Sequence, residues 1–194
     1  MKNIFSGLLI LVTAILALEA CSFRSPNSTF YVMNSNNLAP VATNKKIGVA
    51  VARVKVPDML DRAQMVVYEP NSDKVQIMEF NRWAEVFPDV IQATVTNDLI
   101  AYLPKAYVKR TYFDSGNADY SVNIEINNMR AYVGDKVILS AWWNIANRNG
   151  RVLKREQVSY EVKVKGQNMT DLVEAQSEAV HLMSRTIAEK LVKM

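Results

Sequence analysis

Hydrophobic and polar positions follow two registers along this chain, and each register marks a different kind of element. Ile47, Val49 and Val51 alternate with small residues within Ile47–Val56, the spacing of a strand. The runs QMVVYE and KVQIMEF flank Pro70-Asn71-Ser72-Asp73, which predicts a hairpin with turn chemistry between its strands. From Phe87 the period lengthens. Phe87, Ile91, Val95 and Leu99 recur every four residues and Leu103 continues the row, which predicts an amphipathic helix. Pro88 fits its first turn, where backbone N–H groups have no intrahelical acceptor, and Pro104 ends it. Alternation returns in Tyr120–Ile126 and again in Val137–Ile145, where Val137, Leu139, Ala141, Trp143 and Ile145 share one face. Asn149-Gly150 separates that run from VLKREQVSYEVKV, the strongest local signal for a tight hairpin. A second amphipathic helix starts near Thr170, with Leu172, Ala179, Met183, Ile187 and Leu191 near one face.

Long strands joined by tight turns imply an antiparallel meander in the second half. The expected fold class is α+β: a largely antiparallel sheet with two amphipathic helices packed on its buried face. Folded sequence begins at FYVM, so residues 30–194 form one domain, and the polar stretch Ser22–Thr29 reads as a tether. No internal repeat or low-complexity tract interrupts it.

The first residues obey another logic. Lys2 precedes an apolar run from Leu8 to Leu18, too short for a bilayer that needs ~20 residues but suited to a secretory signal. The run stops just before Cys21, the single cysteine of the chain, so no intramolecular disulfide or CxxC pair can form. Ordinary signal peptidase would meet the bulky Leu18 where it needs a small residue. Leu18-Glu19-Ala20-Cys21 instead resembles the bacterial lipobox, and Glu19 departs from it where an uncharged residue is usual. That resemblance implies residues 1–20 as a signal peptide and residues 21–29 as a lipidated tether. Cys21 would carry a diacylglyceryl group and an N-acyl chain. Two or three chains anchor durably where one holds only marginally. Ser22, in place of the inner-membrane-retaining aspartate, implies outer-membrane sorting. Export with cleavage elsewhere, an uncleaved anchor and a buried structural cysteine stay open as other readings of Cys21.

Charge and composition exclude more than they indicate. The formal net charge of +4 is dispersed, and an exported chain meets no nucleic acid, so a mildly basic solvated surface is the reading. His181 is the one histidine, and any Ser-His-Asp triad or His-based metal site would have to be built around it. No HxxxH, GxSxG or Walker-type segment occurs. We therefore expect no catalytic residues, no metal and no cofactor beyond the lipid on Cys21, with His181 a helix-surface or satisfied interface residue. Asp58 and Asp61 lie in PDMLDR, where Pro57 can open a helical turn. The nine methionines are scattered, as core filling would have them. Trp142 and Trp143 are adjacent on a strand and must point to opposite faces. With Trp143 buried, Trp142 faces a helix, a partner subunit or a ligand, or is covered by its own chain.

One block reaches beyond composition. Val56–Glu85 resembles the PqiC-like (YmbA-like) family of ABC-type transport auxiliary lipoproteins. Pro57, Leu60-Asp61-Arg62, Gln64-x-Val66 and Arg82-Trp83-Ala84-Glu85 match its turn, strand, hairpin and lead-in to a helix. Val86 departs from it where members often carry proline. The resemblance implies an outer-membrane-anchored, periplasm-facing partner of MCE-type periplasmic transport proteins that move lipids or other hydrophobic molecules between membranes. ATP hydrolysis would then belong to another subunit. Leu60, Asp61, Arg62, Arg82, Trp83 and Trp142 are the candidate partner-binding or motif residues, each with a competing role in holding the fold. Self-association stays open, as do a structural lipoprotein of envelope assembly or secretion and a lipid- or small-ligand-binding module acting alone.

Overall fold

The computed structural model describes residues 26–35, 37–111 and 116–194. Residues 1–25 lie outside that range, so the signal, lipobox and sorting expectations at Cys21 and Ser22 have no structural account. Among the described residues eight strands and two helices follow one another. They are β1 (Thr29–Tyr31), β2 (Gly48–Ala52), β3 (Gln64–Tyr68), β4 (Val75–Trp83), α1 (Phe87–Tyr102), β5 (Tyr107–Thr111), β6 (Tyr120–Ala131), β7 (Lys136–Asn147), β8 (Val152–Lys163) and α2 (Met169–Val192). The class is α+β, with the meander in the second half.

The strands form two sheets, ordered β1-β4-β3 and β5-β2-β6-β7-β8. Antiparallel β6, β7 and β8 make up the meander. Gly150 turns its second hairpin at φ 77°, a left-handed conformation that glycine enters without a steric penalty. The other side of the large sheet is parallel, with β2 paired to both β5 and β6. The strand β5 and this parallel pairing were not foreseen. Tyr107-Val-Lys-Arg-Thr carries too few apolar residues to announce a strand, and parallel partners come from distant sequence. The strand expected over Ile47–Val56 ends at Ala52, and Lys55 then forms a separate parallel bridge to Glu125. Val49, Ala50 and Val51 are all fully buried, as in a strand covered on both faces.

Both helices cover one face of the large sheet, α1 against β2 and β5 and α2 against β7 and β8. Val137, Leu139, Ala141, Trp143 and Ile145 point to that face and are essentially inaccessible, as their alternation required. The helical row of Leu172, Ala179, Met183, Ile187 and Leu191 meets them and is also fully buried. Gln92 of α1 sits in this apolar layer because its Nε2 donates to Val51 O and Thr111 O, both at 2.9 Å. Lys190 Nζ lies 3.1 Å from Glu156 Oε1 and Tyr160 Oη 2.8 Å from Thr186 Oγ1, which ties α2 to β8.

The start of α2 is set by a capping box. Asn168 Oδ1 accepts from Asp171 N at 2.9 Å, and Asp171 Oδ2 accepts from Asn168 N at 3.4 Å. Asn168→Ala should lower stability by ~1 kcal/mol and Asn168→Ser by much less, read from urea midpoints at unchanged slope. Equal losses in the two variants would show that the side-chain acceptor is not what matters.

Candidate functional site

The block from Leu60 to Glu85 folds into a junction. Leu60 N donates to Pro57 O at 2.8 Å and Asp61 N to Asp58 O at 3.2 Å, the single turn that Pro57 opens. Trp83 N donates to Ala63 O at 2.7 Å, Ala84 N to Tyr31 O at 2.9 Å and Phe87 N to Arg62 O at 3.1 Å. These bonds join β1, the β3–β4 hairpin and the start of α1. Leu60 is buried, and so is Trp83, at 3% exposure with its ring centroid 5.5 Å from that of Phe87. A partner cannot reach the Trp83 ring without unpacking it. Asp61 pairs with Arg53 at 3.6 Å rather than with its neighbour Arg62, and Arg53 also reaches Asp89 at 3.4 Å. Arg82 stays at the surface, 3.8 Å from Glu79. Within this block, the geometry assigns Leu60 and Trp83 to the fold and leaves Arg82 accessible.

His181 lies between the helices. Its Nδ1 is 2.9 Å from Asp98 Oδ2 of α1, and its Nε2 is 2.9 Å from the Asn34 carbonyl oxygen. Both partners accept, so both ring nitrogens donate and the imidazole carries its second proton. Burial alone would push its pKa down. The hydrogen bond and charge of Asp98, with the Asn34 carbonyl, outweigh that and raise it above the usual 6.5. A ring with both nitrogens engaged has no lone pair for a nucleophile's proton, so this His–Asp contact is a structural clamp. Among the described residues no three His, Cys, Asp or Glu side chains gather closely enough to hold a metal.

Besides an open depression of about 390 Å³ at the β7–β8 turn, lined by Asp119, Tyr120 and residues 147–149, two accessible features stand out among the described residues. An open groove of about 850 Å³ runs between β1 with the segment after it and the first half of α2, with His181 among its lining residues. Phe30 and Val32 on its rim are 62% and 65% exposed. The second feature is the face of the large sheet opposite the helices, which no helix among the described residues covers. Trp142 stands there half-buried, and the Arg155 guanidinium carbon lies 4.8 Å from its ring centroid. A depression of about 240 Å³ beside it brings Trp142 together with Arg53, Lys55, Asn123, Asn144 and Arg155. Sequence reasoning put Trp142 on this face but missed its companions. Strand parity could have shown Arg155 on the same side of β8; nothing local announced Lys55.

These features define a class: an α+β domain of two sheets and two helices, with an uncovered sheet face and an open groove as its principal accessible sites. More particularly, the chain belongs to the family of ABC-type transport auxiliary lipoprotein components, whose family model matches residues 31–188. It is a family of transport auxiliaries. Its fold is shared with a crystal structure of an uncharacterized protein at TM-score 0.70 and 18% identity, covering 86% of this chain and 99% of that one. It is shared as well with protein XCC0632 of Xanthomonas campestris, from family DUF330, at TM-score 0.72 and 13% identity, covering 85% and 95%. No curated protein matches the sequence.

Proposed function

We propose that the mature chain begins at Cys21 and is held by its acyl chains in the outer membrane, facing the periplasm. There it serves as an auxiliary subunit of an MCE-linked ABC-type system that moves lipids or other hydrophobic molecules between the two membranes. It acts by binding protein partners and turns over no substrate of its own. The observation that carries this reading is the family match over residues 31–188, which begins ten residues after a lipobox-like Cys21. The half-buried Trp142 on an uncovered sheet face supports it, since interfaces concentrate their energy in aromatic and arginine anchors. The groove beside β1 is the feature that favours the other reading, a lipid-binding module acting alone.

Pull-down of the acylated protein from solubilised envelopes should recover an MCE-type protein, and gradient fractionation should place the native protein with outer-membrane markers. Recovery of no such partner, together with co-purified lipid in the groove, would assign the protein to the independent module. Migration with inner-membrane markers, unchanged by Ser22→Asp, would overturn the outer-membrane assignment.

A further inference from the structure

We infer that the depression beside Trp142 is the docking point for an acidic segment of the transport partner, an inference that rests on the auxiliary-subunit role proposed above. Asn123, Asn144 and Arg155 form one rung across β6, β7 and β8, and Glu125, Trp142 and Gln157 form another. Lys55 is pinned at the same face by its backbone, whose N donates to Ile124 O at 3.0 Å and whose O accepts from Ile126 N at 2.8 Å. Four separated stretches of chain thus converge on one spot.

Its chemistry is that of a carboxylate receptor. The Arg155 guanidinium carbon lies 4.8 Å from the Trp142 ring centroid, a cation–π contact that restrains the side chain and leaves the N–H groups of its fork able to donate. A carboxylate binds such a fork through two parallel hydrogen bonds. Asn123 Nδ2 donates to Asn144 Oδ1 at 3.2 Å, and no hydrogen bond among the described residues uses the Asn144 amide hydrogens. Arg53 already serves Asp61 and Asp89, so the cations on offer are Lys55 and Arg155. Among the described residues neither forms an ion pair, and they face the single carboxylate of Glu125. The surplus is positive, with an indole between the two charges. That arrangement suits a segment carrying at least two acidic side chains around an apolar one.

A phospholipid headgroup would offer the same fork a phosphate. The rest of this face argues for protein instead, since Ser140, Gln157 and Ser159 present hydrogen-bonding groups where a bilayer would need apolar side chains. Phe30 and Val32, two of the most exposed large apolar side chains, belong instead to the groove beside β1.

Trp83 and Trp143 are 3% and 1% exposed, so collisional quenching by acrylamide reads chiefly Trp142, with Trp142→Phe as the control. The purified protein in detergent would be titrated with a synthetic Asp/Glu-rich decapeptide containing one leucine, with its Lys/Arg-rich counterpart, with inorganic phosphate and with phosphatidylglycerol micelles. We expect the acidic peptide alone to protect Trp142, more weakly as salt rises. The double charge reversal Lys55→Glu/Arg155→Glu, with unchanged circular dichroism, should weaken that binding at least ~10-fold. Equal binding by the reversed variant, or equal protection by the basic peptide, overturns the site. Protection by phosphatidylglycerol or phosphate as strong as by the acidic peptide reassigns it to a phosphate ligand. In envelope pull-downs, wild type and charge-reversed protein capturing the partner equally would overturn this contact and leave the auxiliary role standing. Capture by neither would overturn the role.

Discussion

Replacing Cys21 with alanine is expected to move the protein from almost wholly membrane-bound to almost wholly released, or to trap it as an uncleaved precursor. One acyl chain of myristoyl length gives an association constant of only about 10⁴ M⁻¹, while each further buried methylene adds ~0.8 kcal/mol. A diacylglyceryl group plus an N-acyl chain is therefore durable, and losing the thiol removes all of it at once. The fold should not notice. Among the described residues the buried core begins at Met33, twelve residues further on. Stability should change by less than ~0.5 kcal/mol, as for substitutions away from packed features. Intact-mass analysis of the wild type supplies the chemical check, a chain starting at Cys21 with diacylglyceryl and N-acyl groups added. An unmodified thiol would remove the premise of the proposed anchorage.

The second large effect is expected at His181. Asp98 is fully buried and, among the described residues, His181 is the one hydrogen-bonded partner of its side chain, so His181→Ala leaves a carboxylate uncompensated inside the helix–helix interface. Breaking a buried pair from one side costs ~3–5 kcal/mol. The double variant His181→Ala/Asp98→Asn should recover part of that loss, because the stranded charge goes with its partner. The pair also sets a pH dependence. A histidine whose folded pKa is raised above 6.5 contributes stability that is complete below 6.5 and is lost as pH rises through the folded value. The groups that decide this are Asp98 from α1, the Asn34 carbonyl and, more weakly, Glu178 from α2 itself. Urea midpoints of the wild type should thus fall as pH is raised from 6 toward 9. His181→Gln should lack that component, and equal slopes in the two proteins would refute the protonated clamp.

Elements that depend on neighbours in sequence were legible before any coordinates. The four-residue row from Phe87 to Leu99 became α1, and Asn149-Gly150 between alternating runs became the β7–β8 turn. In these places each residue's burial is dictated by its own periodicity, so reading the pattern is enough. Trp142 and Trp143 are the sharpest case. Strand parity alone separated them, and Trp143 is 1% exposed while Trp142 stands half-buried on the opposite face. Parity did not say what would stand beside Trp142.

Contacts between remote parts of the chain were decided by tertiary structure. The motif tryptophan Trp83 could be an interface anchor or a core residue by sequence, and only the closure of β4 onto Phe87 buried it. His181 meets Asp98 across 83 residues and Asn34 across 147. The parallel pairing of β2 with β5 and β6 joins strands separated by a helix and by loops. It is this pairing that carries the following residue Lys55 to the face holding Trp142 and Arg155. By itself the sequence determined the helices, the hairpins, the buried face of the meander and the lipobox-like Cys21, because periodicity, turn chemistry and a short motif act over a few residues. Partner strands, the occupied clamp and the cationic depression were left to the tertiary structure, because no local preference encodes which distant segment will complete a sheet or neutralise a buried charge.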